Sequence, residues 1–169
     1  MPFLLDACVV CRLQDTGQLG VLAGLSPRPV VVEEVWDELA SPPTQKPAVL
    51  ALAHAITARI GDFDVRPIPL GSPAAATFAL LRARAKSPRD RGEDASIALA
   101  SHDRDLHFVT GDVAASFRAL AELPGRVLAF HQFLRCLHEQ HDVPKAVLAA
   151  AGAVPSIPSP TWWAPWLAS

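Results

Sequence analysis

The chain has 169 residues, of which 50% are hydrophobic and 19% are charged, and its formal net charge is −2. These values exclude a disordered chain and suit one domain with a substantial core. Three cysteines, an odd number, argue against a secreted disulfide framework. The amino-terminal residues lack the basic start of a signal peptide, and no apolar run reaches the roughly 18 residues of a membrane span. We therefore expect a soluble cytoplasmic protein.

Short apolar runs alternate with stretches of helical periodicity along most of the chain. This order predicts an α/β protein, a three-layer α/β/α sandwich around a central, mostly parallel sheet. The expected strands are residues 3–5, 29–32, 63–70, 107–110 and 126–130; prolines place 63–70 at a sheet edge or in an extended connection. The expected helices are residues 7–13, 33–40, 46–60, 73–85, 92–101, 113–123, 131–140 and 143–151. Residues 1–151 are expected to form one domain, and residues 152–169, rich in Pro and Trp, an irregular tail.

Acidic residues stand at the ends of these elements in the first part of the chain. Asp6 directly follows the first strand. A helix cap is the ordinary role for such a residue, but the carboxyl ends of parallel strands are also where ligands bind. Glu38 lies at the edge of the buried face of helix 33–40, so it is the best candidate there to point into a site. Glu34, one turn earlier on the same side, is the second choice.

The stretch 91–100 joins two acids to a small and aliphatic run. Gly92 is expected just outside a helix, with Glu93 and Asp94 in its first turn, where the helix dipole favours carboxylates. The residues that follow are apolar on nearly all sides, which predicts a buried helix. Asp112 follows the strand 107–110 after one small residue, so it repeats the arrangement at Asp6.

Four of these carboxylates could gather at one edge of a parallel sheet: Asp6, Glu38, Glu93 and Asp112. Neighbouring carboxylates repel, and their pKa values rise unless a cation lies between them. Mg²⁺ and Mn²⁺ accept oxygen ligands, and such a site can activate water for phosphodiester cleavage. The sequence permits this convergence without establishing it.

Four segments occur in the order and approximate spacing of PIN-domain ribonucleases, namely residues 3–7, 35–39, 92–100 and 108–112. The chain thus resembles this family over roughly residues 2–135. Each segment alone is a weak signal, and the four in order are more specific. The resemblance implies a three-layer α/β/α fold and endonucleolytic cleavage of single-stranded RNA that depends on Mg²⁺ or Mn²⁺. Many bacterial members are VapC-type toxins neutralised by a small antitoxin protein, and members are commonly dimeric, so a homodimer is expected.

The resemblance also implies a role for each matching residue. Asp6, Glu93 and Asp112 would hold the metal. Glu38 would hold metal or orient the attacking water, which makes the four acids the expected catalytic set. Thr110 would bond to the metal-site carboxylates or to their water.

Two positions depart from the family pattern. Ala7 and Cys8 stand where many members have a hydroxyl residue followed by Asn, which is expected to remove polar support from the site. Ala95 stands where a second acid often lies, and Asp94 is the candidate substitute. These departures motivate an alternative function, a non-catalytic PIN-like module that binds RNA or protein.

Three other patterns leave alternatives open. The basic residues Arg82, Arg84, Lys86, Arg89 and Arg91 could follow a phosphate backbone or form a solvated face.

The pair Cys8 and Cys11 could join His138 and His141 at a zinc ion, although two small apolar residues on a buried helix are the better interpretation. The tail residues Trp162, Trp163 and Trp166 could stack RNA bases, but packing against the body or a partner is favoured.

Overall fold

The computed structural model describes residues 1–42, 44, 46–85, 90–153 and 157–169. The strands are β1 (Phe3–Leu5), β2 (Val30–Val32), β3 (Asp64–Arg66), β4 (His107–Thr110) and β5 (Val127–Ala129). The helices are α1 (Ala7–Asp15), α2 (Glu33–Ala40), α3 (Pro47–Thr57), α4 (Pro73–Arg84), α5 (Arg91–His102), α6 (Val113–Glu122), α7 (Phe130–His141), α8 (Lys145–Gly152) and α9 (Trp163–Ala168). Short 3₁₀ turns lie at Leu19–Leu22 and Ile60–Asp62.

The five strands form one parallel sheet in the order β3-β2-β1-β4-β5. In the register of this sheet, Leu4 of β1 lies opposite Val30 on one side and Phe108 on the other. Helices flank the sheet, which confirms the predicted α/β class and its sandwich architecture. Because every strand runs the same way, the residues that follow β1, β2 and β4 emerge at one edge of the sheet.

Burial of the central strands explains their composition. Strands β1 and β2 are apolar at each position and entirely buried, as parallel strands covered on both faces should be. Strand β3 lies at the sheet edge, as its prolines predict, and ends before Pro67 and Pro69. The predicted helix over residues 46–60 is shorter, because Pro47–Thr57 gives way to the turn at Ile60–Asp62.

Helix α5 is the most enclosed helix that positions the acids. It packs against α2, α4 and α6 and against strands β1, β2 and β4. Ala95, Ser96 and Ala98 are fully buried in it, which confirms the prediction of a buried helix. Small side chains permit this close approach to several neighbours at once.

The predicted irregular tail is wrong for its last residues, which form α9. Trp163 is buried and belongs to the main hydrophobic core. A side chain at Gly152 would collide with the Trp163 ring, so the glycine allows α8 and α9 to pack together. Pro165 lies in the first turn of α9, where a missing amide hydrogen costs nothing. None of the helices in the described ranges has the length and apolar character needed to cross a membrane.

Candidate functional site

Asp6 caps α1 and at the same time faces the sheet edge. Its Oδ1 accepts a hydrogen bond from the backbone N–H of Ala7 at 2.8 Å. Its Oδ2 accepts hydrogen bonds from the Thr110 hydroxyl at 2.9 Å and from the Cys8 thiol at 3.0 Å. The cap interpretation of Asp6 is therefore confirmed, and the cap fixes a carboxylate at the end of the central strand.

Thr110 connects Asp6 to Asp112. The fully buried Thr110 hydroxyl donates to Asp6, and its oxygen accepts the backbone N–H of Asp112 at 3.1 Å. The side chain of Asp112 then caps α6 by accepting the N–H of Ala115 at 2.9 Å. The expected contact between Thr110 and a site carboxylate is thus present, and one hydroxyl joins the two strand-end acids.

Cys8 gives Asp6 polar support, so the expectation that this position removes such support is wrong. Its thiol donates to Asp6, and its sulfur accepts the backbone N–H of Gly111 at 3.2 Å. Burial, reinforced by the charge of Asp6, raises the pKa of the Cys8 thiol to about 12. The thiol therefore remains protonated and able to donate.

Glu38 reaches from α2 to the first turn of α5. Its Oε1 accepts the backbone N–H of Gly92 at 3.0 Å. Gly92 lies inside α5 and not just outside it, which corrects the prediction. A Cβ on Gly92 would lie 2.8 Å from Val35 Cγ2 and 3.0 Å from Glu38 Oε1, so a larger residue would force these side chains to move. Glu34 lies further from the helix start, with Oε1 3.9 Å from Arg91 Nη2.

Glu93 is held by an arginine from α6. Arg118 Nε donates to Glu93 Oε1 at 2.8 Å, and Nη2 of the same guanidinium pairs with Glu93 Oε2. Arg118 Nη1 also donates to Asp90 at 2.9 Å. The planar guanidinium therefore binds both oxygens of Glu93 and draws a further acid to the start of α5.

The carboxylates influence each other electrostatically. Burial is the main reason that the pKa of Glu38 lies above its ordinary value, and the charge of Asp6 raises it further. Burial likewise raises the pKa of Glu93 to about 6, assisted by Asp6 and Asp90 and opposed by Arg118. Asp6 thus contributes to the raised pKa values of both Glu38 and Glu93, and the Thr110 hydroxyl ties Asp6 to the backbone N–H of Asp112. We call Asp6, Glu38, Glu93 and Asp112 the acidic cluster.

Surface depressions border the acidic cluster on several sides. One of about 600 Å³ is lined by Asp90, Glu93 and Asp112 together with Arg84 and Arg118. A largely apolar depression of about 650 Å³ has Glu38 and Arg91 in its lining. A smaller one of about 280 Å³ lies on the other side of Asp112. Each predicted acid except Asp6 thus lines a surface cleft, and Asp6 lies behind them against Thr110 and Cys8.

The donor chemistry of the cluster fits a hard divalent cation. Asp6, Glu93 and Asp112 offer carboxylate oxygens, which Mg²⁺ and Mn²⁺ prefer. Across the described ranges, no group of three or more His, Cys, Asp or Glu side chains is already arranged as a metal site. Because the Arg118 guanidinium binds both Glu93 oxygens, a metal ion would have to displace Arg118 from Glu93.

Several of the remaining predicted residues have structural partners, whereas the buried Nε2 of His141 has no hydrogen-bond partner among the described residues. Arg82 of the basic run donates to buried Asp94 at 2.9 Å, while Lys86 and Arg89 lie outside the described residues. Of the zinc alternative, Cys8 is engaged with Asp6, and His138 Nδ1 lies 2.9 Å from the Val143 carbonyl oxygen. Cys11 lines the apolar depression beside Glu38.

Sequence reasoning missed Arg118 as a component of this site. It is the one basic residue of α6, which is a detectable signal, but only helix packing reveals its partner. No protein-family model, curated protein or solved structure matches the chain. The geometry of its own residues must therefore carry the functional argument.

Proposed function

We propose that the protein is a divalent-metal-dependent endoribonuclease that cleaves single-stranded RNA and acts as the toxin of a toxin–antitoxin pair. One observation carries the proposal: Asp6 and Asp112 follow the neighbouring parallel strands β1 and β4, and the Thr110 hydroxyl joins the carboxylate of Asp6 to the backbone N–H of Asp112. Glu38 of α2 and Glu93 of α5 are close enough for Asp6 to contribute to their raised pKa values. The resemblance to PIN-domain ribonucleases supplies the RNA substrate and the toxin role.

In this mechanism Asp6, Glu93 and Asp112 would hold Mg²⁺ or Mn²⁺. The bound ion would activate water and stabilise the charge that develops at the scissile phosphate. Thr110 and the Ala7 N–H fix the orientation of Asp6. Glu38, held by the Gly92 N–H, is placed to hold metal or orient the attacking water. Arg118 pairs with both Glu93 and Asp90 and so reduces the negative charge that RNA phosphates would meet at the cleft.

The proposed partners are the RNA substrate, a small antitoxin and a second copy of the chain, in the cytoplasm. Helix α6 presents Val113, Phe117 and Leu120 to solvent, with Val113 and Phe117 each 71% exposed. Their spacing places them on one face of the helix. An exposed apolar row of this kind suits a protein partner.

Substitution of the acids tests the nuclease proposal. Asp112→Asn keeps the shape of the side chain and the oxygen that caps α6, and Asp6→Asn keeps the shape and one of its two accepting oxygens, so the fold should persist in both. Cleavage of single-stranded RNA in Mg²⁺ or Mn²⁺ should fall by at least about 100-fold in each, since loss of an outer-shell partner alone costs about 10–100-fold. The control is Glu139→Gln, which changes a surface acid paired with Arg135 and should leave cleavage unchanged. Undiminished cleavage in both acid variants would refute the proposal.

A non-catalytic RNA- or protein-binding module is the second candidate. The observation that favours it is Arg118, which already neutralises Glu93 without a metal. Titration with Mg²⁺ and Mn²⁺, followed by calorimetry, separates the two functions. Absent metal binding together with retained RNA affinity would support the module, whereas metal binding lost in Asp6→Asn would support the nuclease.

A further inference from the structure

The depression of about 280 Å³ beside Asp112 joins the acidic cluster to the carboxyl-terminal segment. One wall is formed by Thr110, Gly111 and Asp112 at the end of β4. The opposite wall comes from residues 157–162 and includes Trp162. We call this depression the tail pocket. Its position places any occupant directly beside an acid of the proposed site.

We propose that the tail pocket binds one unpaired nucleobase of the RNA, next to the phosphate that is cleaved. The choice of RNA as ligand rests on the proposed function, while the pocket itself is an independent feature. Proteins that read single strands stack splayed bases on aromatic side chains. A small, partly aromatic pocket adjoining the acids is suited to one base, not to a helix or an extended peptide.

Trp162 is the tryptophan available for this stacking. Trp163 is 4% exposed and is packed in the core. Trp166 stacks on Trp163 at 5.1 Å between ring centroids and also contacts His138 and Lys145. Trp162 remains half-buried and lines the tail pocket. Its contact with Trp163 is edge-on, and the Arg135 guanidinium lies over its ring at 5.9 Å from the centroid. Of the three tail tryptophans, Trp163 and Trp166 therefore serve in packing, and Trp162 is the one that lines the pocket.

Two polar side chains in the pocket can meet the edge of a base. Gln132 uses its Oε1 to accept the N–H of Ala129, which leaves its amide group as a donor. Ser116 donates to the carbonyl of Asp112, which leaves its oxygen as an acceptor. A donor and an acceptor beside an aromatic ring are the groups with which proteins recognise an unstacked base.

The guanidinium of Arg12 lies behind the pocket wall. Arg12 is partly buried, and its Nη1 is a buried atom without a hydrogen-bond partner among the described residues. A Cβ on Gly111 would overlap this nitrogen, so the guanidinium lies directly against the Gly111 backbone in the wall. A buried N–H without an acceptor favours an anionic ligand nearby. The guanidinium would offset the repulsion between Asp112 and the phosphate attached to the bound base.

The experiment begins with the wild-type chain and a set of single-stranded RNA oligonucleotides, each with one abasic position. Binding is measured by fluorescence anisotropy in EDTA, so that cleavage does not contribute. We expect one abasic position to weaken binding by about tenfold, because stacking on an aromatic side chain accounts for about 1–3 kcal/mol per base. A flat profile across all positions would overturn the proposal without any need for a variant.

Variants then assign that position to Trp162. Trp162→Leu should bind the intact RNA about tenfold more weakly and show no further loss with the critical abasic oligonucleotide. Trp162→Phe keeps an aromatic ring and should retain the wild-type profile. Trp166→Leu, which removes a tail tryptophan outside the pocket, is the matched control and should also retain it. Thermal unfolding confirms that each variant is folded.

The outcomes separate this proposal from the nuclease assignment. An abasic profile that is the same in Trp162→Leu and wild type refutes the base pocket, even where metal-dependent cleavage is present. A Trp162-dependent profile without cleavage supports the pocket and refutes the nuclease. If no RNA binds but an apolar peptide binds in a Trp162-dependent manner, the occupant is a protein and the base pocket is refuted.

Discussion

The two halves of the acidic cluster are built in different ways. In the strand-end half, Asp6, Thr110 and Asp112 follow neighbouring parallel strands, and both acids cap the helices that begin there. In the helix half, Glu38 and Glu93 depend on Gly92 and Arg118, which belong to other parts of the chain. Backbone geometry alone thus positions the first half, whereas the second requires helices to pack at one particular separation.

The largest expected effect on stability arises in the helix half, at Glu93. In metal-free protein, its pKa rises from the ordinary 4.5 to about 6, so the folded chain retains a proton that the unfolded chain releases. The free energy of unfolding should therefore fall as pH rises through this window. At about 1.4 kcal/mol per pKa unit, the fall amounts to about 2 kcal/mol. Glu93→Gln should lack this contribution in urea unfolding at pH 4.5, 5.5 and 7.

Glu139→Gln is the matched control for this measurement. Glu139 pairs with Arg135 on the exposed face of α7. Its variant should follow the wild-type dependence on pH, because the change lies far from the acidic cluster. If Glu93→Gln and Glu139→Gln share one pH dependence, the electrostatic description of the helix half is wrong.

A smaller loss of stability is expected from a substitution that forces helices α2 and α5 apart. Gly92→Ala places a Cβ against Val35 and the Glu38 carboxylate. Overpacking costs about 1–3 kcal/mol, and better helix propensity returns up to about 1 kcal/mol, so we expect a net loss of about 1–2 kcal/mol. Gly61→Ala is the control, because no atom lies within 4 Å of the added carbon. Equal free energies of unfolding for the two variants would show that α2 and α5 are not held this closely.

The smallest change in stability is expected in the strand-end half. Thr110→Val keeps the side-chain volume but removes the hydroxyl between Asp6 and Asp112, at a cost of about 1 kcal/mol. Under the proposed function, cleavage should also fall by about 10–100-fold. Thr110→Ser, which keeps the hydroxyl and loses a methyl group, should retain most of the cleavage. The opposite ranking of the two variants in a cleavage assay would assign Thr110 a packing role alone.

The same contrast explains how far the sequence could be interpreted. Strand and helix positions followed from periodicity, and Asp6 and Asp112 could be placed because each directly follows an apolar strand. The roles of Gly92 and Arg118 could not be predicted, because they depend on the distance between helices that are far apart in sequence. The support from Cys8 was missed since a thiol in an apolar run resembles a core residue. The helix α9 was missed because it is short and contains Pro165 and two tryptophans, so it shows no clear helical periodicity.

The pairing of β1 with β4 has a consequence for synthesis on the ribosome. The hydroxyl that Asp6 binds comes 104 positions later in the chain. A nascent chain that stops before β4 has neither the neighbouring strand nor Thr110 and Asp112, which follow from it. The acids therefore assemble late and together, since domains fold as units once their distant segments are available. Fragments released early in translation would carry Asp6 and Glu38 without a complete site.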